Sequence, residues 1–223
     1  MNPHQLPHAD EPSGPAVADP TPGHRISTGL RRIELRLSLV FKTLSLAVLL
    51  TLPGLGHGAE PPFLRPPPAE LNKIRSAIIY TAKGDIVVEL YPEDAPWHVA
   101  NFKYLADKGF YRGSTFHLHY PGYILQGGGP PANPTGGPGW TLPPEFNQRN
   151  HLEGTLGMAR APDDLNPERS SNGSQFHLLL RPAPHMDGSY TVFGQVVKGL
   201  DVVEQLRRGD KIKDVKVFVR AAP

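Results

Sequence analysis

The pattern of hydrophobic and polar residues after residue 73 is mostly that of short β-strands. Apolar and polar residues alternate over runs of four to eight, and turn-forming residues separate the runs. The stretch SAIIYTAKGDIVVELYP holds two such runs around Lys83 and Gly84, which predicts a hairpin. Further strands are predicted at residues 115–120, 123–126, 155–159, 175–180, 191–197 and 215–219.

Two segments carry the period of an α-helix instead. In EDAPWHVANFKYLADKGF the apolar residues recur on one face, Asp94 is predicted to cap the first turn, and Gly109 ends the helix. A second helix is predicted at about 200–206. Two helices and about eight strands indicate a mainly antiparallel β protein, and spacing alone leaves sandwich and barrel both open.

The N-terminal part of the chain has a different composition. Residues 1–30 are poor in large apolar residues and are predicted to be a disordered leader. Residues 31–59 run from basic to apolar to small, the order of a secretory signal, and residues 60–72 form a Pro-rich linker that we expect to be extended. We expect an exported protein, periplasmic or secreted. An uncleaved membrane anchor and a buried element of a cytosolic protein are the alternatives.

Composition excludes several classes of function. The 26 prolines and 23 glycines argue against a helical bundle. With no cysteine, the chain has no disulfide, thiolate nucleophile or Cys-based zinc site. The formal net charge is only +2 and no basic stripe is present, so we expect no nucleic-acid partner.

Eight motifs then occur in one order: GDIVVELYPEDAP, GFYRGSTFH, PGYILQGGGP, TGGPGWTLPPEF, GTLGMARA, SNGSQF, MDGSYTVFGQVVKGLDVVE and GDKIKDVKVFV. Together they closely resemble the cyclophilin family of peptidyl-prolyl cis-trans isomerases. The resemblance implies a cyclophilin-like domain over residues 73–221, a closed eight-stranded antiparallel barrel capped by two α-helices. It also implies a substrate, the X-Pro peptide bond of a polypeptide. We expect a monomer.

Isomerisation of an X-Pro bond requires no cofactor. Rotation breaks the partial double bond of the amide, takes tens of seconds unaided, and forms or cleaves no other bond. We therefore expect no cofactor and no metal. The site must favour the twisted amide over the planar one. In the family an arginine directed at the prolyl nitrogen does this, while glutamines and main-chain groups hold the peptide.

Most of the family's binding positions are filled here by suitable residues. The resemblance implies that Gln126, also a candidate catalytic residue, and Gln175 hold the peptide. It implies that the backbone of Ala159 and Arg160 pairs with it. Ring-sized or apolar side chains fill three positions of the proline pocket: Tyr123, Ile124 and Met186.

Four positions depart from the family pattern. Leu118 stands where the family has its arginine, and His177 replaces the aromatic residue of the pocket floor. His185 stands at a tryptophan position and Tyr190 at a histidine position. Loss of one donor to a transition state costs about 10²–10³ in rate. We therefore expect a weak isomerase, and the alternative is a catalytically inactive module that binds proline-containing peptides or acts as a chaperone.

Other residues offer ways around the missing arginine. Arg160 is a candidate substitute donor, with a solvent-exposed arginine as the alternative interpretation. Strand alternation places His119 on the face opposite Leu118. A third hypothesis is a metal site, formed either by His117 and His119 on one strand face or by His177 facing His185 across the pocket.

Overall fold

A computed structural model describes residues 59–220 of the chain. The predicted leader at 1–30 and all but the last residue of the signal-like segment at 31–59 lie outside the described residues. Within residues 59–220, no helix combines the length and apolar character that crossing a membrane requires.

Eight strands and three α-helices make up the described part of the chain. The predicted hairpin, both predicted helices and all six further predicted strands are present, with shifts of a few residues at their ends. In chain order the elements are α1 (Pro68–Leu71), β1 (Ile74–Thr81), β2 (Asp85–Leu90), α2 (Pro96–Asp107), β3 (Phe116–Tyr120), β4 (Ile124–Gly127), β5 (Thr155–Met158), β6 (Phe176–Leu179), a 3₁₀ turn (Pro184–Met186), β7 (Val192–Lys198), α3 (Leu200–Gln205) and β8 (Ile212–Val219).

All the strand pairs are antiparallel, and they form one curled sheet in the order β3-β4-β6-β5-β7-β2-β1-β8. The segments that precede the two outer strands also meet. The Phe116 N–H donates to the Asp210 carbonyl oxygen at 2.9 Å, and the Ile212 N–H donates to the Ser114 carbonyl oxygen at 2.8 Å. The mainly β prediction is therefore confirmed.

The buried core joins residues of the sheet with residues of helices α2 and α3. Phe102 of α2 meets Phe176 of β6 edge to face, with ring centroids 5.9 Å apart, and it meets Phe193 of β7 at 5.5 Å. All three rings are fully buried. Edge-to-face aromatic pairs contribute about 0.5–1.5 kcal/mol each beyond their buried area. This packing holds β6, whose opposite face carries part of the site described below.

The N-terminus of α2 is capped by a distant residue, and the prediction that Asp94 caps it was wrong. Pro96 opens the helix and has no N–H, which leaves the amides of Trp97 and His98 to be satisfied. They donate to the two carboxylate oxygens of Glu145 at 2.9 and 3.0 Å. His98 Nδ1 lies 2.6 Å from the same carboxylate. Asp94 instead pairs with Arg149 at 2.7 Å.

Glu145→Ala is expected to lower the free energy of unfolding by about 3 kcal/mol, because it leaves two helix amides and a buried imidazole without their charged acceptor. Chemical denaturation of the variant and the wild type measures this loss. Glu93→Ala is the control, since Glu93 forms an exposed pair with Arg75 and should cost less than about 1 kcal/mol. Equal losses in the two variants would contradict the capping role.

The predicted linker is partly helical and is attached to the domain, so its extended conformation was wrong in part. Helix α1 lies within it, and the Phe63 ring stacks on Tyr104 of α2 with centroids 4.9 Å apart. The guanidinium carbon of Arg65 lies 5.4 Å from the ring centroid of Trp97. Phe63 and Arg65 therefore pack against α2, whereas Leu64 between them is exposed.

Candidate functional site

Four neighbouring strands carry a row of facing residues across the sheet. The register pairs Leu118 of β3 with Gln126 of β4, and Gln126 with His177 of β6. His177 is paired in turn with Gly157 of β5. Directly opposed residues of antiparallel strands lie on the same face. The sheet therefore brings the missing-arginine position, one glutamine and the polar pocket floor into line.

A pocket of about 230 Å³ lies over this row and is walled by the segment that follows β6. Ten of the eleven predicted site residues line it, and Gln175 lies beside it through a hydrogen bond to Gln126. Tyr120 also lines the pocket and was missed, although its position two residues after Leu118 on one strand face could have indicated it. The lining residues are Leu118, Tyr120, Tyr123, Ile124, Gln126, Ala159, Arg160, His177, His185, Met186 and Tyr190.

The two glutamines form a fixed relay of amide groups. Gln126 Nε2 donates to Gln175 Oε1 at 2.9 Å. Gln175 Nε2 donates in turn to the carbonyl oxygens of Thr135 and Gly136, at 2.6 and 2.7 Å. Gln175 is itself buried. These bonds fix the rotamer of Gln126, so its amide is oriented before any peptide arrives.

The main chain beside the pocket is only partly available to a peptide. The Ala159 N–H donates to the Gln175 carbonyl oxygen, and the Ala159 carbonyl oxygen accepts from the Asn172 N–H at 2.8 Å. The N–H and carbonyl of Arg160 have no hydrogen-bond partner within residues 59–220. Of the two predicted backbone positions, Arg160 is therefore the one with an open donor and acceptor.

The pocket floor is a buried neutral imidazole. His177 is 1% exposed, and burial lowers its pKa to about 3, so the ring is uncharged at neutral pH. Its Nε2 atom has no hydrogen-bond partner among residues 59–220. The ring fits because Gly157 faces it: a Cβ at position 157 would lie 2.3 Å from His177 Nε2. The polar floor that the sequence predicts is thus matched by the smallest residue opposite it.

A second buried histidine supports the floor, and sequence reasoning missed it. The His151 ring lies 6.1 Å from the His177 ring, and Tyr190 meets both rings nearly at right angles. His151 Nδ1 is 2.9 Å from Asp187 Oδ1, which also accepts the His151 N–H at 2.7 Å. Burial lowers the pKa of His151 against the opposing effect of Asp187. His177 and Asp187 lie 26 and 36 residues after His151 in the sequence, so no local pattern indicated that the three residues meet.

One wall of the pocket is held by a hydroxyl–imidazole contact. The Tyr123 hydroxyl lies 2.9 Å from His185 Nε2. The guanidinium carbon of Arg181 lies 4.7 Å from the centroid of the Tyr123 ring. Arg181 was not predicted as a site residue, because the motifs that define the family resemblance do not include it. His185 thus lines the same pocket as His177, and its Nε2 atom is engaged by the Tyr123 hydroxyl.

The Arg160 guanidinium is bound by neighbouring residues of the chain. Its side chain is only 5% exposed, so the interpretation as a solvent-exposed arginine was wrong. Nη1 donates to Asp163 Oδ1 at 2.5 Å, Nε donates to the Ser189 carbonyl oxygen at 2.8 Å, and the group lies 4.6 Å from the Tyr190 ring centroid. These contacts hold the charge at the pocket edge. Only Nη2 is without a hydrogen bond within the described residues.

The two histidines that flank Leu118 lie in different surroundings, and the prediction that they share one strand face was wrong. A β-bulge between Phe116 and Leu118 breaks the alternation of β3. His117 Nε2 consequently lies 3.5 Å from Gln126 Nε2, beside the pocket. His119 lies within electrostatic range of Asp210 and is not a pocket-lining residue.

The proposed metal sites have no ligand set in this geometry. Between residues 59 and 220, no three His, Asp or Glu side chains are grouped so that they could hold a metal ion. His117 and His119 do not share a face, and His185 binds Tyr123. What the site offers instead is a small pocket beside fixed amide groups. That combination suits a peptide with one ring-shaped side chain.

A curled antiparallel sheet of eight strands that carries such a pocket is typical of one class of prolyl isomerases. The chain belongs to a family within that class. Residues 76–220 match the family model described as "Cyclophilin type peptidyl-prolyl cis-trans isomerase/CLD". The chain is therefore a member of the cyclophilin-type peptidyl-prolyl cis-trans isomerases.

Curated relatives carry the same activity in their names. A peptidyl-prolyl cis-trans isomerase of Synechococcus elongatus is 47% identical over 148 residues, which cover 66% of this chain and 98% of the relative. Peptidyl-prolyl cis-trans isomerase B of Bacillus subtilis is 46% identical over 134 residues, covering 59% of this chain and 90% of the relative. These relatives and the family identify the protein as a prolyl isomerase.

Solved structures agree with the fold. A cyclophilin type peptidyl-prolyl cis-trans isomerase of Cryptosporidium parvum superposes with a TM-score of 0.60 at 26% identity, over 66% of this chain and 99% of that one. The structure of the same kind of enzyme in the presence of the dipeptide Ala-Pro superposes with a TM-score of 0.57 at 28% identity, over 66% of this chain and 100% of that one.

Proposed function

We propose that this protein isomerises X-Pro bonds of polypeptides outside the cytoplasm, at a rate reduced by the loss of the family's arginine. One observation carries the proposal: Leu118 lines the pocket in the row with Gln126 and His177. An aliphatic side chain offers no hydrogen bond to the prolyl nitrogen as the amide twists. The charge-assisted donor that lowers the barrier is therefore missing from this position.

The rest of the site supports binding of proline. Ile124 and Met186 are buried apolar walls, and Tyr123 and Tyr190 add rings. The fixed amide of Gln126 and the open main chain of Arg160 are suited to hold the peptide on either side of the ring. A related cyclophilin was crystallised in the presence of Ala-Pro. We propose the same class of ligand here.

A positive charge near the pocket favours a slow isomerase over a binding module without catalytic activity. Arg160 lines the pocket, its guanidinium lies 4.6 Å from the ring of pocket-lining Tyr190, and its Nη2 atom has no hydrogen bond within the described residues. A cation at the pocket edge partly stabilises a developing lone pair without a direct contact. The second candidate function, a binding module without catalysis, is favoured by the contacts that tie Arg160 to Asp163 and Ser189.

Several further expectations belong to the same proposal. We propose that the curled sheet closes into a barrel, which the hydrogen bonds between residues 113–116 and 209–212 support. Export rests on the basic, apolar and small order of residues 31–59 alone. A monomeric state without nucleic acid is also proposed. Contact with a membrane is proposed only for an uncleaved anchor.

Exchange spectroscopy by NMR tests the function directly. With the full-length protein, cis-trans exchange of an Ala-Pro-containing peptide should be faster than the unaided rate of about one event in tens of seconds. Gln126→Ala should abolish the acceleration, which also excludes a contaminating isomerase as its source. Peptide-induced shifts without any acceleration would favour the binding module. If the peptide causes no shifts and its exchange is not accelerated, both candidate functions are overturned.

A further inference from the structure

We propose that Arg181 and Tyr123 form a subsite that selects peptides with an acidic residue close to the proline. This inference rests on the proposed function, since it concerns the peptide that enters the same pocket. Arg181 is the specificity-determining residue, and a carboxylate of the substrate is its ligand.

Arg181 does not itself line the pocket, but its guanidinium contacts a ring that does, and it pairs with no acid among residues 59–220. It lies over the ring of Tyr123, which lines the pocket. The residue is exposed, and within residues 59–220 this ring contact is its one side-chain interaction: no carboxylate and no carbonyl oxygen accepts from it. All five N–H donors of the side chain are consequently available to a ligand.

The backbone holds this cation in place before a ligand binds. The Leu180 N–H donates to the Tyr123 carbonyl oxygen at 2.8 Å, which ties the residue before Arg181 to the base of the same tyrosine. Pro182 follows and restricts Arg181 to extended conformations. The Ala183 N–H donates to the His151 carbonyl oxygen at 2.8 Å. A guanidinium with a fixed backbone and a ring contact loses less entropy on binding than a free one.

The acidic residues near the pocket are already occupied. Asp163 accepts from both Arg160 and Arg169. Asp187 accepts from the main chain and the ring of His151. The pocket-lining residues themselves include no Asp or Glu. The Arg181 charge therefore has no competing partner among the described residues of the site, and a substrate carboxylate can satisfy it.

The distance to the pocket limits which substrate residue can reach the subsite. Arg181 contacts a ring that forms the pocket wall, while an extended peptide advances about 3.3 Å per residue. A residue within two positions of the proline therefore has the reach. An aspartate or glutamate there can form a bidentate pair with the guanidinium. A lysine at the same position meets a like charge.

The test measures binding rather than turnover, with the full-length protein. At each position tested, four peptides carry a central Ala-Pro and differ only in whether that position holds Glu, Gln, Lys or Ala; the positions tested are the residue before Ala-Pro and the two residues after it. NMR titration gives each dissociation constant at low salt and at 0.5 M NaCl. At the best position the Glu peptide should bind about three- to fivefold more tightly than the Gln peptide, and high salt should remove the difference.

Arg181→Gln should abolish the preference for the Glu peptide over the Gln peptide. Arg220→Gln is the matched control, because Arg220 is exposed and lies against a different surface cleft; this variant should keep the full preference. Equal affinity for all four peptides, or a preference that survives in Arg181→Gln, would overturn the subsite while leaving proline binding intact. Failure of every peptide to bind would overturn the proposed function together with the subsite.

Discussion

Leu118→Arg is expected to raise kcat for X-Pro isomerisation by about 10²–10³-fold, the effect of one preorganised donor on a charge that develops in the transition state. Residue 118 lies opposite Gln126 and lines the pocket, so a longer side chain there projects over the bound peptide. The new guanidinium has no acid to pair with among the pocket-lining residues. Exchange spectroscopy on one Ala-Pro peptide compares the variant with the wild type.

The gain should appear in kcat and hardly in KM. An interaction that strengthens only as the amide twists stabilises the transition state and leaves the affinity for the planar amide unchanged. Leu118→Met is the control for side-chain length and should leave kcat near the wild-type value. Leu118→Lys supplies charge without the planar fork and should recover only part of the gain.

A failure of Leu118→Arg would be informative if binding is retained. Unchanged kcat together with unchanged peptide affinity would mean that the leucine does not limit the rate. The remaining departure in the row, His177 on the pocket floor, would then be the first residue to change. A lower affinity in Leu118→Arg alone would indicate that the arginine folds into the pocket and competes with proline.

The strands of this fold are visible in the sequence because each is half-buried. A strand with one face on the core and one on the outside alternates in polarity, and glycine or proline closes it, so all eight strands and the two longer helices could be predicted. The residue that caps α2 could not be predicted from the sequence. Glu145 lies 47 residues from the amide of His98, and nothing local distinguishes it from any other glutamate.

The site was predictable where side chains project by simple alternation. It was not predictable where the backbone departs from regularity or where a charged group finds a partner in three dimensions. The bulge at His117 turns that histidine toward Gln126. The Arg160 side chain is 5% exposed and pairs with Asp163, which its sequence position did not indicate. Likewise, the fit of His177 depends on Gly157, which is distant in sequence and adjacent only across the sheet.

That fit gives the second prediction: Gly157→Ala should destabilise the protein by about 1–3 kcal/mol and weaken peptide binding by about tenfold or more. The new Cβ would lie 2.3 Å from Nε2 and 2.7 Å from Cε1 of His177. The ring cannot retreat, because it is 1% exposed and is flanked by His151 and Tyr190. The ring must therefore move outward, into the space that proline would occupy. Chemical denaturation and NMR titration with an Ala-Pro peptide measure the two losses.

A double-mutant cycle separates this clash from a general intolerance of alanine in β5. In a His177→Ala background the imidazole is gone, so adding Gly157→Ala should cost less than about 0.5 kcal/mol. The interaction energy between the two substitutions should then account for most of the single-variant loss. Equal costs of Gly157→Ala in the two backgrounds would contradict the contact with His177. They would move the cause to the backbone of β5, where the pairing with β7 shifts register between Leu156 and Gly157.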